Sequence, residues 1–134
     1  MRACFFKSAQ DPVSCGTHAI GAAAAFAGGV IYLFRAVGER VPVVTLAAAM
    51  GFCLSMIALY AASAIYHYYP GDAKTEGVKS RLRKLDHSMI YVLIAGSYTP
   101  FSLVLLPQPK GAKFCAAIWG VALAGVLVKL LERL

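Results

Sequence analysis

Two apolar stretches carry polar side chains that could bind a metal or move a proton, and one short basic segment separates them. Ser63 and His67 are four residues apart in an uncharged run, so on a helix they share one face. Asp86 and His87 begin the next apolar run. If both runs are helices, these four side chains come to the same end of the molecule.

These residue types suit a hydrolytic zinc site. Histidine nitrogen is a common zinc ligand, and a catalytic zinc has three protein ligands and one water. That water has a pKa of about 7 and becomes a nucleophile at neutral pH. In this interpretation histidine nitrogen binds the metal. Asp86 takes the proton or orients the water, and Ser63 hydrogen-bonds a ligand or the substrate.

Each residue also has an ordinary structural interpretation. A histidine near a membrane interface, such as His18 or His87, often only makes a hydrogen bond. Asp86 at the start of a helix is a good capping residue, and Ser63 is an ordinary packing residue. Haem between paired histidines such as His18 and His67 is a further alternative. The four cysteines contain no C-x-x-C pair, so no zinc knuckle or redox motif is indicated.

The elements that would position these residues are membrane helices. The 134 residues are 60% hydrophobic and 14% charged, whereas a soluble domain has about a quarter charged residues. Three uncharged runs exceed the roughly 20 residues that cross a bilayer as helix, and Lys113 and Lys129 could snorkel from a shorter fourth. We therefore predict an all-α, polytopic transmembrane helix bundle forming one membrane domain over residues 1–134. The predicted helices span about residues 17–34, 43–68, 86–103 and 114–130.

Small residues at helical spacing indicate where these helices approach one another. Pro100 should kink or end the third helix, and Asp11-Pro12-Val13-Ser14 is typical of a helix start. The small faces are Gly21, Ala25 and Gly29 in helix one, Ala47, Gly51 and Ser55 in helix two, and Ala116, Gly120 and Ala124 in helix four.

The net charge of +7 is explained by topology rather than by nucleic acid, because the basic residues lie between the predicted spans. With four helices, nine Lys and Arg fall on the side of the N-terminus and four on the other. The positive-inside rule then predicts a cytoplasmic N-terminus, in a protein of the plasma membrane. Binding of the basic segment 74–84 to anionic lipid is a further possibility.

Four motifs in this order resemble the hemolysin III family, within the superfamily of progestin and adiponectin receptors. The resemblance covers about residues 11–106. Its motifs are Asp11-Pro-Val-Ser-Cys-Gly-Thr-His-Ala-Ile-Gly21, Ser63-Ala-Ile-Tyr-His67, Leu82-Arg-Lys-Leu-Asp-His-Ser88 and Ile94-Ala-Gly-Ser-Tyr-Thr-Pro-Phe101.

The resemblance implies seven membrane helices with a cytoplasmic N-terminus and, in receptor members, a zinc ion held by three histidines. His67 matches the ligand in the S-x-x-x-H motif, and Ser63 and Asp86 match the family's serine and aspartate. The other two ligands belong to an H-x-x-x-H motif on the last helix, which this sequence lacks. We therefore expect a truncated form with a partial zinc site that binds zinc weakly or not at all.

Some members of the family resemble ceramidases, which hydrolyse a lipid amide. The leading hypothesis is a zinc-dependent hydrolase of lipid amides in the complete form, with membrane lipids and a lipid substrate as partners. Two other classes stay open, a pore-forming or haemolytic membrane protein and a receptor or scaffold without catalysis.

Overall fold

The computed structural model describes residues 9–132, which form four long helices with short connections. They are α1 (Pro12–Gly38), α2 (Val43–Tyr68), α3 (Glu76–Pro100) and α4 (Lys110–Leu131). A π-helical turn, Phe101–Leu105, continues α3 directly. Residues 9–132 contain no strand. The all-α prediction is confirmed.

Each helix packs against the next one in the chain, and neighbouring helices run antiparallel. The short connections favour this order, because a few residues can only join helix ends on the same side. The contacts that show it are Asp11 with His67 and Gly29 with Cys53 for α1–α2, Lys79 with Tyr66 and Gly96 with Ser55 for α2–α3, and Lys84 with Leu130 and Thr99 with Trp119 for α3–α4.

The interfaces between the helices are made of small residues. The buried apolar side chains are alanines and Cys15, and the buried polar ones are Ser55, Ser63, Ser88 and Ser102. Large apolar residues such as Phe34 and Leu105 are exposed instead, and all four helices are long and apolar enough to cross a membrane. Small residues inside and large apolar residues outside are typical of helices packed in lipid. The chain is an integral, multi-pass membrane protein.

Three helices begin earlier than the sequence pattern predicts, α4 by about four residues, at Lys110. The helix start at Asp11-Pro12 is confirmed, but α1 runs from Pro12 to Gly38 instead of from about residue 17 to 34. The third helix begins at Glu76, ten residues before Asp86. Its first three turns are charged and amphipathic, so hydropathy does not detect them. Asp86 is therefore inside α3, and its interpretation as a helix cap is wrong.

The packing face of α4 also differs from the small-residue pattern. Ala116, Gly120 and Ala124 are all exposed. The helix packs through buried Ala122 and through Gly125, which lies against the ring of Tyr91. On the neighbouring helix the prediction for Pro100 is confirmed, because α-helical geometry ends there and the π turn follows.

Candidate functional site

The start of α1 is fixed against the last turn of α2 by backbone hydrogen bonds. The Asp11 N–H donates to the carbonyl of His67 at 3.1 Å, and the Gln10 N–H donates to that of Tyr68 at 3.4 Å. The carboxylate of Asp11 also caps α1 by accepting a hydrogen bond from the Ser14 N–H at 3.2 Å. Asp11 is thus held in place both by its own helix and by α2.

This placement brings the carboxylate of Asp11 to the ring of His67. Asp11 Oδ2 lies 3.4 Å from His67 Nδ1, and the His67 side chain is 25% exposed. Histidines that bind metals usually direct their other ring nitrogen to a carboxylate or carbonyl, which fixes the tautomer and the ring orientation. The arrangement here leaves Nε2 of His67 as the nitrogen available to a ligand.

The carboxylate itself favours its charged form. Hydrogen bonds from the side chain and the backbone of Ser14 lower the pKa of Asp11 below 3.8. Desolvation opposes this effect, and the nearby charge of His67 makes a smaller contribution that also lowers the pKa. Asp11 therefore remains charged beside the His67 ring throughout the neutral range.

His18 joins this pair from the second turn of α1. Its ring centroid lies 5.7 Å from that of His67 and 5.9 Å from that of Tyr60. Among the side chains that the structure describes, His18 Nδ1 is the buried polar atom without a hydrogen-bond partner. Such atoms are rare in folded proteins and call for a water or an ion. His18 and His67 thus form a histidine pair at one end of α1 and α2.

Ser63 and Asp86 lie near this end but outside the direct contacts of His67. Ser63 is one turn before His67 and only 4% exposed. Asp86 is half-buried and lies seven residues after Lys79, on the same face of α3. Lys79 contacts the last turn of α2 and Gly96 contacts Ser55. This antiparallel register places Asp86 at the level of Ser63, about 10 Å along α3 from Lys79.

His87 is directed elsewhere. It is exposed and lines a cleft between α3 and α4 together with Arg83, Lys84, Lys129 and Glu132. The three histidines share one end of the molecule, but the structure brings only His18 and His67 together.

Lys79 also contributes to this site, although the sequence pattern does not single it out. Its ammonium group donates to the carbonyls of Tyr66 at 2.9 Å and Tyr69 at 2.6 Å, and to Gln10 Oε1 at 2.5 Å. It also lies 4.5 Å from the centroid of the Tyr66 ring. A cation on exposed carbonyls at a helix C-terminus is favourable. Lys79 thereby fixes the turn that carries His67.

The side chains around His67 are too few to form a complete metal site. Within residues 9–132, no group of three His, Cys, Asp or Glu side chains is arranged to hold a metal ion. His67 has the carboxylate support that a zinc-binding histidine normally has, and His18 lies beside it. The described residues therefore provide a histidine with carboxylate support and a neighbouring histidine, but not the three ligands that a catalytic zinc requires.

Four antiparallel apolar helices with small-residue interfaces define a multi-span α-helical membrane protein. The chain matches the model of the family described as "Haemolysin-III related" over residues 6–134. It belongs to this family, as the motifs at Ser63–His67 and around Asp86 predict.

Two relatives from bacilli are similar over part of their length. The chain is 35% identical over 119 residues to Hemolysin-3 of Bacillus cereus, which covers 85% of this chain and 50% of the relative. It is 39% identical over 79 residues to a Hemolysin-3 homolog of Bacillus subtilis (strain 168), which covers 59% of this chain and 35% of the relative. The chain thus spans at most about half the length of these relatives. No solved structure matches it.

Proposed function

We propose that this chain supplies one side of the zinc centre of a membrane-embedded hydrolase that cleaves a lipid amide. The observation that supports it is the contact between His67 Nδ1 and Asp11 Oδ2, which leaves His67 Nε2 for a metal. A catalytic zinc needs three protein ligands. The proposal therefore requires two more, which the H-x-x-x-H motif of the family would supply.

The roles of the other residues follow from their positions. Asp11 holds the His67 ring and its tautomer, and Lys79 fixes the turn of α2 that carries the ring. Asp86, half-buried at the level of Ser63, would accept a proton from the attacking water, and Ser63 would orient substrate or ligand. When bound, zinc would lower the pKa of its water ligand to about 7 and polarise the amide carbonyl.

Zinc titration of the purified chain tests the metal role. We expect weak binding that His67→Ala removes and that Asp11→Ala weakens about tenfold, the lower end of the range for such supporting carboxylates. His87→Ala is the matched control, because that ring is directed into the α3–α4 cleft, and it should leave binding unchanged. Zinc binding that persists in His67→Ala would contradict the proposal.

Hydrolysis of a fluorescent lipid amide tests the catalytic role, in the longest form of the protein that the gene encodes. Activity should require zinc and should be lost in both His67→Ala and Asp86→Asn. It should survive in His87→Ala. An activity that does not depend on His67 or on zinc would contradict the hydrolase proposal.

A second candidate function is permeabilisation of membranes, favoured by the name Hemolysin-3 of the Bacillus cereus relative. The exposed apolar residues on all four helices are compatible with insertion into a bilayer. Release of a trapped dye from liposomes distinguishes the two. Leakage that persists in His67→Ala and Asp86→Ala favours permeabilisation over hydrolysis.

We further propose that the start of α1 faces the cytoplasm and that the protein lies in the plasma membrane. The distribution of Lys and Arg supports this orientation. The start of α1, the α2–α3 connection and the end of α4 lie on one side, and the chain segments on that side carry most of these residues. Single cysteines introduced at Lys74 and Lys113 of a cysteine-free variant test it. A membrane-impermeant thiol reagent added to intact cells should label position 113 and spare position 74.

A further inference from the structure

The cleft between the first half of α3 and the end of α4 is cationic. Its lining residues are Arg83, Lys84, His87, Lys129 and Glu132, around a cavity of about 210 Å³. With His87 neutral, they carry a net charge of +2. Arg83, Lys84 and His87 lie where the charged first part of α3 meets its uncharged run, and Lys129 and Glu132 lie at the end of α4, so lipid headgroups are expected at this level. This cationic cleft therefore suits an anion at the membrane surface.

The cations of the cleft differ in how far they are already paired. Lys84 Nζ donates to the carbonyls of Leu130 and Glu132, which fixes the ammonium against the end of α4. Lys129 contacts the Glu132 carboxylate at 3.0 Å. The Arg83 side chain makes no hydrogen bond or ion pair with any residue in the range 9–132. Within that range its guanidinium donors are unused, and their fork geometry matches phosphate oxygens.

The cationic cleft continues into the membrane as an apolar groove. His87 and Lys129 also line a second cavity of about 330 Å³, together with Ile90 and Tyr91. Tyr91 in turn lines a third cavity of about 420 Å³, whose surface is almost wholly apolar. The other residues of that third cavity are Ile94, Tyr98, Phe114, Ala117, Ile118, Val121 and Ala122.

The length of this groove matches one leaflet of a bilayer. From His87 to Tyr98 the path along α3 covers eleven residues, or about 16 Å of helix. Half of a hydrocarbon core about 30 Å thick is about 15 Å. A cationic site at one end and an apolar groove one leaflet long are complementary to a single amphiphile with an anionic head.

We propose that the α3–α4 cleft and groove form a binding site for one anionic glycerophospholipid. Its phosphate lies against Arg83 and Lys129, and one acyl chain lies along Tyr91, Ile94 and Tyr98. The site is separate from His67, which faces α1 on the other side of α2. The proposal therefore does not depend on the metal centre.

Native mass spectrometry of the purified chain with phosphatidylglycerol or phosphatidylcholine of the same acyl chains tests the proposal. We expect about one retained phosphatidylglycerol per chain, bound at least tenfold more tightly than phosphatidylcholine. A cation near the membrane surface contributes a factor of about five to lipid affinity. Arg83→Gln with Lys129→Gln should therefore weaken phosphatidylglycerol binding about 25-fold.

A second pair of substitutions distinguishes binding at a defined site from general electrostatic attraction of anionic lipid to the basic residues of the protein. Lys74→Gln with Arg81→Gln removes the same charge from exposed positions outside the cleft and should change affinity less than threefold. Arg83→Lys with Lys129→Arg preserves the charge and should retain binding. Equal losses in the two Gln double variants would overturn the proposal.

The groove is tested independently of the charges. Ala117→Trp should fill it and weaken phosphatidylglycerol binding about tenfold, whereas soluble glycerol phosphate should compete poorly with the lipid. Unchanged lipid binding in Ala117→Trp, or equally tight binding of glycerol phosphate, would overturn the acyl-chain assignment. A photo-crosslinking residue at Ile94 should yield a phospholipid adduct. A protein adduct would show that a helix fills the groove.

Discussion

The interfaces α2–α3 and α3–α4 both contain a glycine packed against the neighbouring helix, but the residue that the glycine meets differs. At the first, Ser55 packs directly on the backbone of Gly96, where even a methyl group has no room. At the second, Gly125 lies against the ring of Tyr91, and Trp119 Nε1 donates to Thr99 Oγ1 at 3.0 Å. Small residues packed on small residues close an interface, whereas aromatic rings hold two helices apart. The groove proposed for lipid exists because α3–α4 is of the second kind.

The largest expected effect is from a side chain at the closed interface. A Cβ atom at Gly96 would overlap Ser55 Oγ and lie 2.6 Å from Ser55 Cβ. Gly96→Val should lower the free energy of unfolding by about 3 kcal/mol, the upper end of the overpacking range. Unfolding in mixed detergent, followed by circular dichroism, measures it. Gly120→Val is the control, because nothing lies within 4 Å of that position. Equal losses in both variants would contradict the closed α2–α3 interface.

A smaller effect is expected at the open interface. A Cβ atom at Gly125 would lie 2.7 Å from the ring of Tyr91, but this ring borders the groove and can turn into it. Gly125→Ala should therefore cost about 1 kcal/mol, less than half the cost of Gly96→Ala. The same detergent unfolding compares the two alanine variants. If Gly125→Ala is as damaging as Gly96→Ala, the α3–α4 interface is no more compliant than α2–α3.

The hydrogen bond across the open interface should contribute less again. Thr99→Val removes the acceptor of the Trp119 indole N–H, and such bonds between membrane helices average about 0.6 kcal/mol. A double-mutant cycle with Trp119→Phe isolates this coupling. Detergent unfolding followed by circular dichroism measures all four proteins of the cycle, and the emission of Trp119, the single tryptophan, compares the starting protein with Thr99→Val. A coupling near zero would show that the aromatic spacing alone sets the distance between α3 and α4.

The smallest expected effect is on the stability of the protein at low pH. Because the pKa of Asp11 is lowered, this carboxylate stabilises the α1–α2 end above pH 3.8 and loses that contribution as the pH falls through its lowered pKa. Asp11→Asn should flatten the acid limb of the stability curve and speed exchange of the Ser14 amide. Asp72→Asn is the control, since hydrogen bonds from Thr75 also lower the pKa of Asp72 but this residue lies in the α2–α3 connection. Ser14 exchange should be unchanged in that variant.

The sequence predicts the four membrane helices well, because length and apolarity are local properties. It places the start of α3 ten residues too late, since the charged turns from Glu76 onward are stabilised by contacts of Lys79 with α2. The small-residue pattern also predicts the wrong packing face for α4. Small residues such as Gly120 are equally compatible with lipid and with a neighbouring helix, and composition does not distinguish the two.

Part of the candidate site is also visible in the sequence. The S-x-x-x-H motif identifies Ser63 and His67, but Asp11 reads only as the cap of its own helix. Its contact with His67 spans 56 positions and arises only when α1 and α2 pack. The Asp-Pro start is the signal that could have found it, because a cap at the beginning of α1 must lie beside the end of an antiparallel α2.

The small size of the buried side chains in residues 9–132 has a consequence for mutational tolerance. In a soluble domain the large core residues are the sensitive ones, and surface alanines change freely. In this protein we expect the buried alanines to be the sensitive residues and the large apolar residues to be the tolerant ones. Ala48 and Ala95 are almost fully buried and should accept little beyond serine or glycine, whereas the exposed Leu105 and Leu131 should exchange with any apolar residue. Saturation mutagenesis of this protein should therefore show the lowest tolerance to substitution at its small buried residues.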